Sequence, residues 1–118
     1  MNKKFSILTF KYAFRGLVAA LKEEPNLKFH FLIAILVIII SFYLKISKSD
    51  WITIILVIGF VIAIELTNTA IEAVVDKFVD IEHPGAKLAK DISAGAVLVT
   101  AIAAALVGII IFMPYLKY

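Results

Sequence analysis

The stretch "WITIILVIGFVIAIELTNTAIEAVVD", Trp51 to Asp76, decides how this chain folds. Its first fourteen residues, Trp51 to Ile64, carry no charge, and then Glu65, Asn68, Glu72 and Asp76 arrive in quick succession. Read as one helix continuing to Phe78, the run takes a carboxylate into the membrane. With a 1.5 Å rise, Glu65 lies about 21 Å from Trp51 and Glu72 about 31 Å. Against a hydrocarbon core near 30 Å, Glu65 stays below the inner boundary while Glu72 reaches it. Ionisable groups at lipid depth are costly and mark functional sites by default. Taking Glu65 as 0°, Asn68 falls at roughly 300°, Glu72 at roughly 340° and Asp76 at roughly 20°, so the four form one polar stripe. The stripe reads either as a hydrogen-bonding network between packed helices or as a reaction site. In the second case a lipid hydroxyl meets Glu65 and a metal-bound soluble substrate meets Glu72.

Composition agrees with a membrane setting. The chain has 118 residues, 63% of them hydrophobic, and a mean hydropathy of +1.03. That apolar share is well above the 45–50% usual for soluble domains. One membrane domain over residues 1–118 is expected. Without cysteine, disulfides and thiolate metal sites are excluded. The net charge of +3 comes from basic residues flanking apolar segments, which suits anionic lipid headgroups and not nucleic acid. The N-terminus lacks a small-residue cleavage site, so a removed signal peptide is not expected.

Three transmembrane helices are expected, at residues 28–46, 51–78 and 86–114. "SKSD" (Ser47 to Asp50) reads as a tight turn and "DIEHPGA" (Asp80 to Ala86) as the breaker between the second and third spans. Pro114 marks the exit of the third. Residues 1–24 read as an amphipathic surface helix, with Lys4, Lys11, Arg15 and Lys22 on one side and Phe10, Phe14, Leu17 and Leu21 on another. Nine basic residues fall on the N-terminal segment and second loop, against Lys45, Lys48 and Lys117 on the opposite side. The N-terminus and the second loop are therefore expected to be cytoplasmic.

More charge gathers at that level. Glu23 and Glu24 end the surface helix before Pro25, and Lys90 and Asp91 open the third span. Carboxylates suit Mg²⁺, which is commonly shared with substrate phosphates, and a lysine can neutralise a phosphoryl group in transit. Taken singly, Lys90 reads as a solvated charge at a helix end. Soluble nucleotide-binding motifs such as GxxxxGK[ST] are absent. His30 reads as interfacial and His83 as a loop residue. In the third span, Ala101 with Ala105 and Ala104 with Gly108 set small residues four apart, which favours close helix contacts and self-association.

"ELTNTAIEAVVDKF", followed after a short loop by "AKDISAGAVLV", resembles the prokaryotic diacylglycerol kinase family, which includes the undecaprenol kinases. Span order and the N-terminal helix extend the resemblance over nearly the whole chain. It implies a homotrimer with three transmembrane helices and a surface helix per chain, transferring the γ-phosphate of Mg-ATP to a lipid hydroxyl in the bacterial plasma membrane. Glu65 then matches the catalytic base and Glu72 a metal ligand. Glu24, eight residues after the glycine of "FRG" (Gly16), matches the second metal ligand. Asn68, Asp76, Lys90 and Asp91 match other polar active-site positions, with Lys90 implied to touch the transferred phosphate. The resemblance also implies a site shared between neighbouring protomers. "AKDISAGAVL", the "HPGAKLAKD" loop and the "IFMP" ending are similar to the undecaprenol kinase branch, with diacylglycerol as the alternative acceptor. A small oligomeric transporter or channel subunit would also carry intramembrane carboxylates. It would need polar residues through the outer half of the membrane, where "WITIILVIGFVIAI" supplies almost none. A structural membrane adaptor would explain the small residues and leave the stripe without purpose.

Overall fold

The structure, a computed structural model, describes residues 7–117. Four helices follow in order: α1 (Ile7–Glu23), α2 (Pro25–Leu44), α3 (Lys48–Phe78) and α4 (Pro84–Leu116), with no strand among the described residues. The last three are long and apolar enough to cross a membrane.

Each helix boundary has a local cause. Glu24 is extended (φ −108°, ψ 109°) and Pro25 occupies the first helical turn, where its missing N–H removes nothing and its fixed φ suits the helix. So α2 opens three residues before the expected span. It closes at Lys45, whose backbone is left-handed (φ 54°, ψ 54°). The Ile46 N–H then donates to the Ser41 carbonyl at 3.3 Å, and the Lys45 N–H to Phe42 at 3.2 Å, the bonding of a Schellman end. Ser47 caps α3 by accepting the Asp50 N–H at 3.1 Å. Lys48 to Asp50 are thus already helical, and the turn expected over Ser47–Asp50 lies at residues 45–47 instead. His83 is a cap, not a plain loop residue: its Nδ1 accepts the Gly85 and Ala86 N–H groups at 3.1 and 3.2 Å. Pro84 and Gly85, expected to break structure, instead form the first turn of α4. A Cβ on Gly85 would meet the His83 ring at 3.0 Å, so glycine keeps room for that cap. At its other end α4 runs past the expected exit at Pro114 to Leu116. Pro114 lies inside the helix and withholds the one N–H bond that the residue there would give the Ile110 carbonyl.

Helix α3 is central. It packs along α4 and against α2, while α1 rests on α2 and α3. Two ends follow from this: a turn end, where α2 hands over to α3, and an α1 end, which carries the α1–α2 junction and the α3–α4 connection. One cluster of buried apolar residues, Ile46, Ile54 and Ile111, sits at the turn end, and Leu27 and Ala34 are buried further along α2. Phe42 and Trp51 meet beside it with ring centroids 4.7 Å apart and planes tilted by 58°.

Most other large apolar residues face outward, among them Phe42 at 69%, Tyr43 at 84% and Ile110 at 71% exposure. An apolar exterior this extensive needs lipid or protein around it, because soluble monomers seldom expose such patches. Among the small residues of α4, Gly108 leaves open space beside it: a Cβ there would meet nothing within 4 Å. In α1 no residue is buried. Lys11, Arg15 and Lys22 are exposed, and the Arg15 guanidinium lies 5.5 Å from the Tyr12 ring centre. Lys4, placed on the basic stripe from the sequence, lies outside the described residues.

Candidate active site

Two of the few buried polar residues lie on α3 at the deep end of its polar stripe: Glu65, 3% exposed, and Asn68, 7% exposed. A buried carboxylate needs a partner, since leaving one uncompensated costs several kcal/mol, ~3–5 in measured cases. Its partner is on α2. His30 Nε2 stands 3.4 Å from Glu65 Oε1. Asn68 faces the other way, its Oδ1 accepting the Ser93 hydroxyl of α4 at 2.7 Å. Further along, the Lys90 ammonium of α4 donates to Asp76 Oδ1 at 2.8 Å. Within this chain the single stripe inferred from helix periodicity divides its partners between two neighbours: Glu65 turns to α2, Asn68 and Asp76 to α4.

The remaining residues singled out from the sequence are less closely joined. Asp91 pairs with Lys87 at 3.3 Å on its own helix, both well exposed. Glu72 is half-buried, within Coulombic reach of Lys90. Glu24 holds the N-cap position of α2, yet its carboxylate makes no capping bond. Among the described residues no three His, Asp or Glu side chains gather closely enough to cage a metal. Mg²⁺ does not need such a cage: it binds through one or two carboxylates, with phosphates and water completing its shell. Glu24 and Glu72 are hard oxygen donors not engaged in a hydrogen bond or ion pair among the described residues, so they fit that ion in kind.

An apolar cavity of about 650 Å³ opens between α2, α3 and α4. Ile33, Val57, Val61, Ala104 and Gly108 are among its walls, and His30 lies towards its α1 end. A second hollow of about 390 Å³ adjoins Asn68 and Ser93. Three polar residues at this end escaped the sequence reading. His30 could have been found by depth: it lies five residues into α2, about 7.5 Å from the helix start, close to the depth inferred for Glu65. Ser93 stood in a run read only for its small size. Thr69 falls at about 40° on the wheel used for the stripe, and its Oγ1 is buried without a hydrogen-bond partner.

The sequence model of the prokaryotic diacylglycerol kinase family matches residues 11–112. An undecaprenol kinase of Bacillus subtilis is 43% identical over 116 residues, covering 98% of this chain and 93% of its own. A diacylglycerol kinase of Synechocystis is 37% identical, covering 92% of this chain and 62% of its own. One of Haemophilus influenzae is 34% identical, covering 85% and 82%. The family match takes in α2 and α3 whole, most of α4, and every polar contact just described. This chain is therefore a member of the prokaryotic diacylglycerol kinase family.

Proposed function

We propose that this chain is an ATP-dependent membrane lipid kinase that phosphorylates the hydroxyl of undecaprenol to give undecaprenyl phosphate. The observation that carries the kinase reading is Glu65, a carboxylate buried to 3% exposure behind the histidine that lines an apolar cavity. A long apolar chain can lie in such a cavity with its hydroxyl brought to the carboxylate. Glu65 takes the hydroxyl proton, a general-base role worth about 10²–10⁴ in rate. Lys90 leaves Asp76 to meet the phosphoryl group, and Asn68 and Thr69 supply polar contacts around it. Asp76 and Asp91 lie on the nucleotide side. Glu24 and Glu72 would hold Mg²⁺, which when bound neutralises charge on the phosphates.

The choice of acceptor is supported by the relative matched over nearly its whole length, which is named an undecaprenol kinase; the Synechocystis and Haemophilus relatives are named diacylglycerol kinases and match with lower identity. Purified protein in mixed micelles, offered undecaprenol and diacylglycerol under identical conditions, should give the higher kcat/KM for the prenol. A clear excess for diacylglycerol would reverse the acceptor and leave the kinase reading standing.

The same reading places the chain in the bacterial plasma membrane, with its N-terminus and α3–α4 connection cytoplasmic and α1 lying in the interface. It also makes the protein a homotrimer with shared sites. The open space beside Gly108, on a stretch of α4 whose Ala101, Ala104 and Ala105 also border the cavity, supports a further copy as neighbour. Crosslinking in native membranes should yield a trimer; a monomer at full activity would refute the shared site.

A further inference from the structure

The proposed reaction assigns no task to His30, although the imidazole is the one hydrogen-bonding or ionic side-chain partner of Glu65 among the described residues. Its side chain is 20% exposed against 3% for Glu65. It also lines the cavity from which a lipid would come. The imidazole therefore touches both the cavity and the carboxylate, with 3.4 Å from Nε2 to Oε1. That is longer than a strong charge-assisted bond and typical of a catalytic contact that tightens when substrate arrives. A carboxylate on a flexible stem can rotate. Binding one oxygen fixes which of the two is left for the reaction.

We propose that His30 is a positioning residue for Glu65, its Nε2 holding Oε1 so that Oε2 is presented to the lipid hydroxyl. The inference rests on Glu65 being the base. In the transfer, the lipid oxygen bonds to the γ-phosphorus and its proton passes to Glu65 Oε2. The bond from that phosphorus to the bridging oxygen breaks, and ADP leaves with the electron pair. His30 is unchanged at the end and neither gains nor loses a proton.

The test uses the full chain in mixed micelles, with His30→Leu, His30→Gln and His30→Asn measured against Glu65→Gln. A glutamine amide nitrogen reaches about where Nε2 stands, while that of asparagine reaches only the Nδ1 position. His30→Leu should lower kcat by roughly 10 to 10², the range for a misplaced catalytic group, with KM for Mg-ATP little changed. His30→Gln should restore most of the loss and His30→Asn should not. In a Glu65→Gln background the residual turnover should be indifferent to His30→Leu. The proposal is overturned if His30→Leu keeps normal kcat, if asparagine rescues as well as glutamine, or if the losses multiply in the double variant. Should His30→Leu fail to assemble, the glutamine and asparagine variants decide. Normal turnover in Glu65→Gln would remove the base itself. A slow Glu65→Gln beside a normal His30→Leu would remove only the role of His30.

Discussion

At the turn end, the helices meet on Ile46, Ile54 and Ile111 and are clasped by one tyrosine. The Tyr115 hydroxyl donates to Asp50 Oδ2 at 2.7 Å and accepts the Ser47 N–H at 2.9 Å. At the α1 end the helices meet through Glu65 with His30, Asn68 with Ser93, and Asp76 with Lys90. The first set is packed and short-range, tying α4 to the α2–α3 turn. The second is made of groups that can exchange partners. In lipid, apolar burial gives helices no driving force to associate, so close packing and hydrogen bonds must hold them. The difference is one of construction: one end is joined by apolar packing and a tyrosine clasp, the other by pairs of polar side chains.

The largest effect should come from the buried carboxylate. Glu65→Gln keeps size and hydrogen bonding yet cannot accept a proton, and turnover should fall by about 10² or more. Folding and Mg-ATP binding should persist. Steady-state assays with nucleotide binding measured in parallel check this; loss of assembly instead of turnover would make the α1 end a packing device like its opposite. Glu72→Gln comes next. It should raise the Mg²⁺ concentration for half-maximal rate by about tenfold, near 1.4 kcal/mol, since one oxygen donor to the ion is lost. Glu24→Gln should act in the same direction and Glu23→Gln should not, because Glu23 ends α1 while Glu24 stands at the junction with a free carboxylate. The reverse pattern would shift the ligand by one residue. The smallest effect should come from Tyr115→Phe. Two hydrogen bonds are lost at ~0.6 kcal/mol each, so thermal unfolding in micelles should move down slightly while kcat holds within about twofold. A large drop in kcat would mean that the two ends are coupled.

Helix number and the place of the polar residues along α3 were legible because both depend on local rules. Apolar runs bounded by lysines give spans, and 100° per residue puts Glu65 and Glu72 on one side. The helix starts were misjudged where a residue served a role opposite to its usual reading. Pro84 and Gly85, read as breakers, open α4 because the His83 ring caps the N–H groups beside them. The partners of the stripe were the least legible. Periodicity reports which residues share a side of one helix, not which neighbour stands there. His30 and Ser93 are single polar residues in runs dominated by apolar or small ones. Only the packing of α2 and α4 on α3 gives them meaning.

The position of α3 between its neighbours has a consequence for how this sequence can vary. Its turn-end contact at Ile54 and its polar contacts from Glu65 onward are teeth on one shaft, separated by the ten residues from Ile55 to Ile64. Inserting one residue there would rotate Glu65, Asn68 and Asp76 together by about 100° relative to Ile54, disengaging all three from their partners. Inserting seven would restore the phase to within about 20°, but would shift the carboxylate along the axis by about 10.5 Å. Neither phase nor depth can be recovered without losing the other. Substitutions within this segment must preserve an apolar helix and the cavity walls at Val57 and Val61, whereas its length must stay fixed to keep both phase and depth.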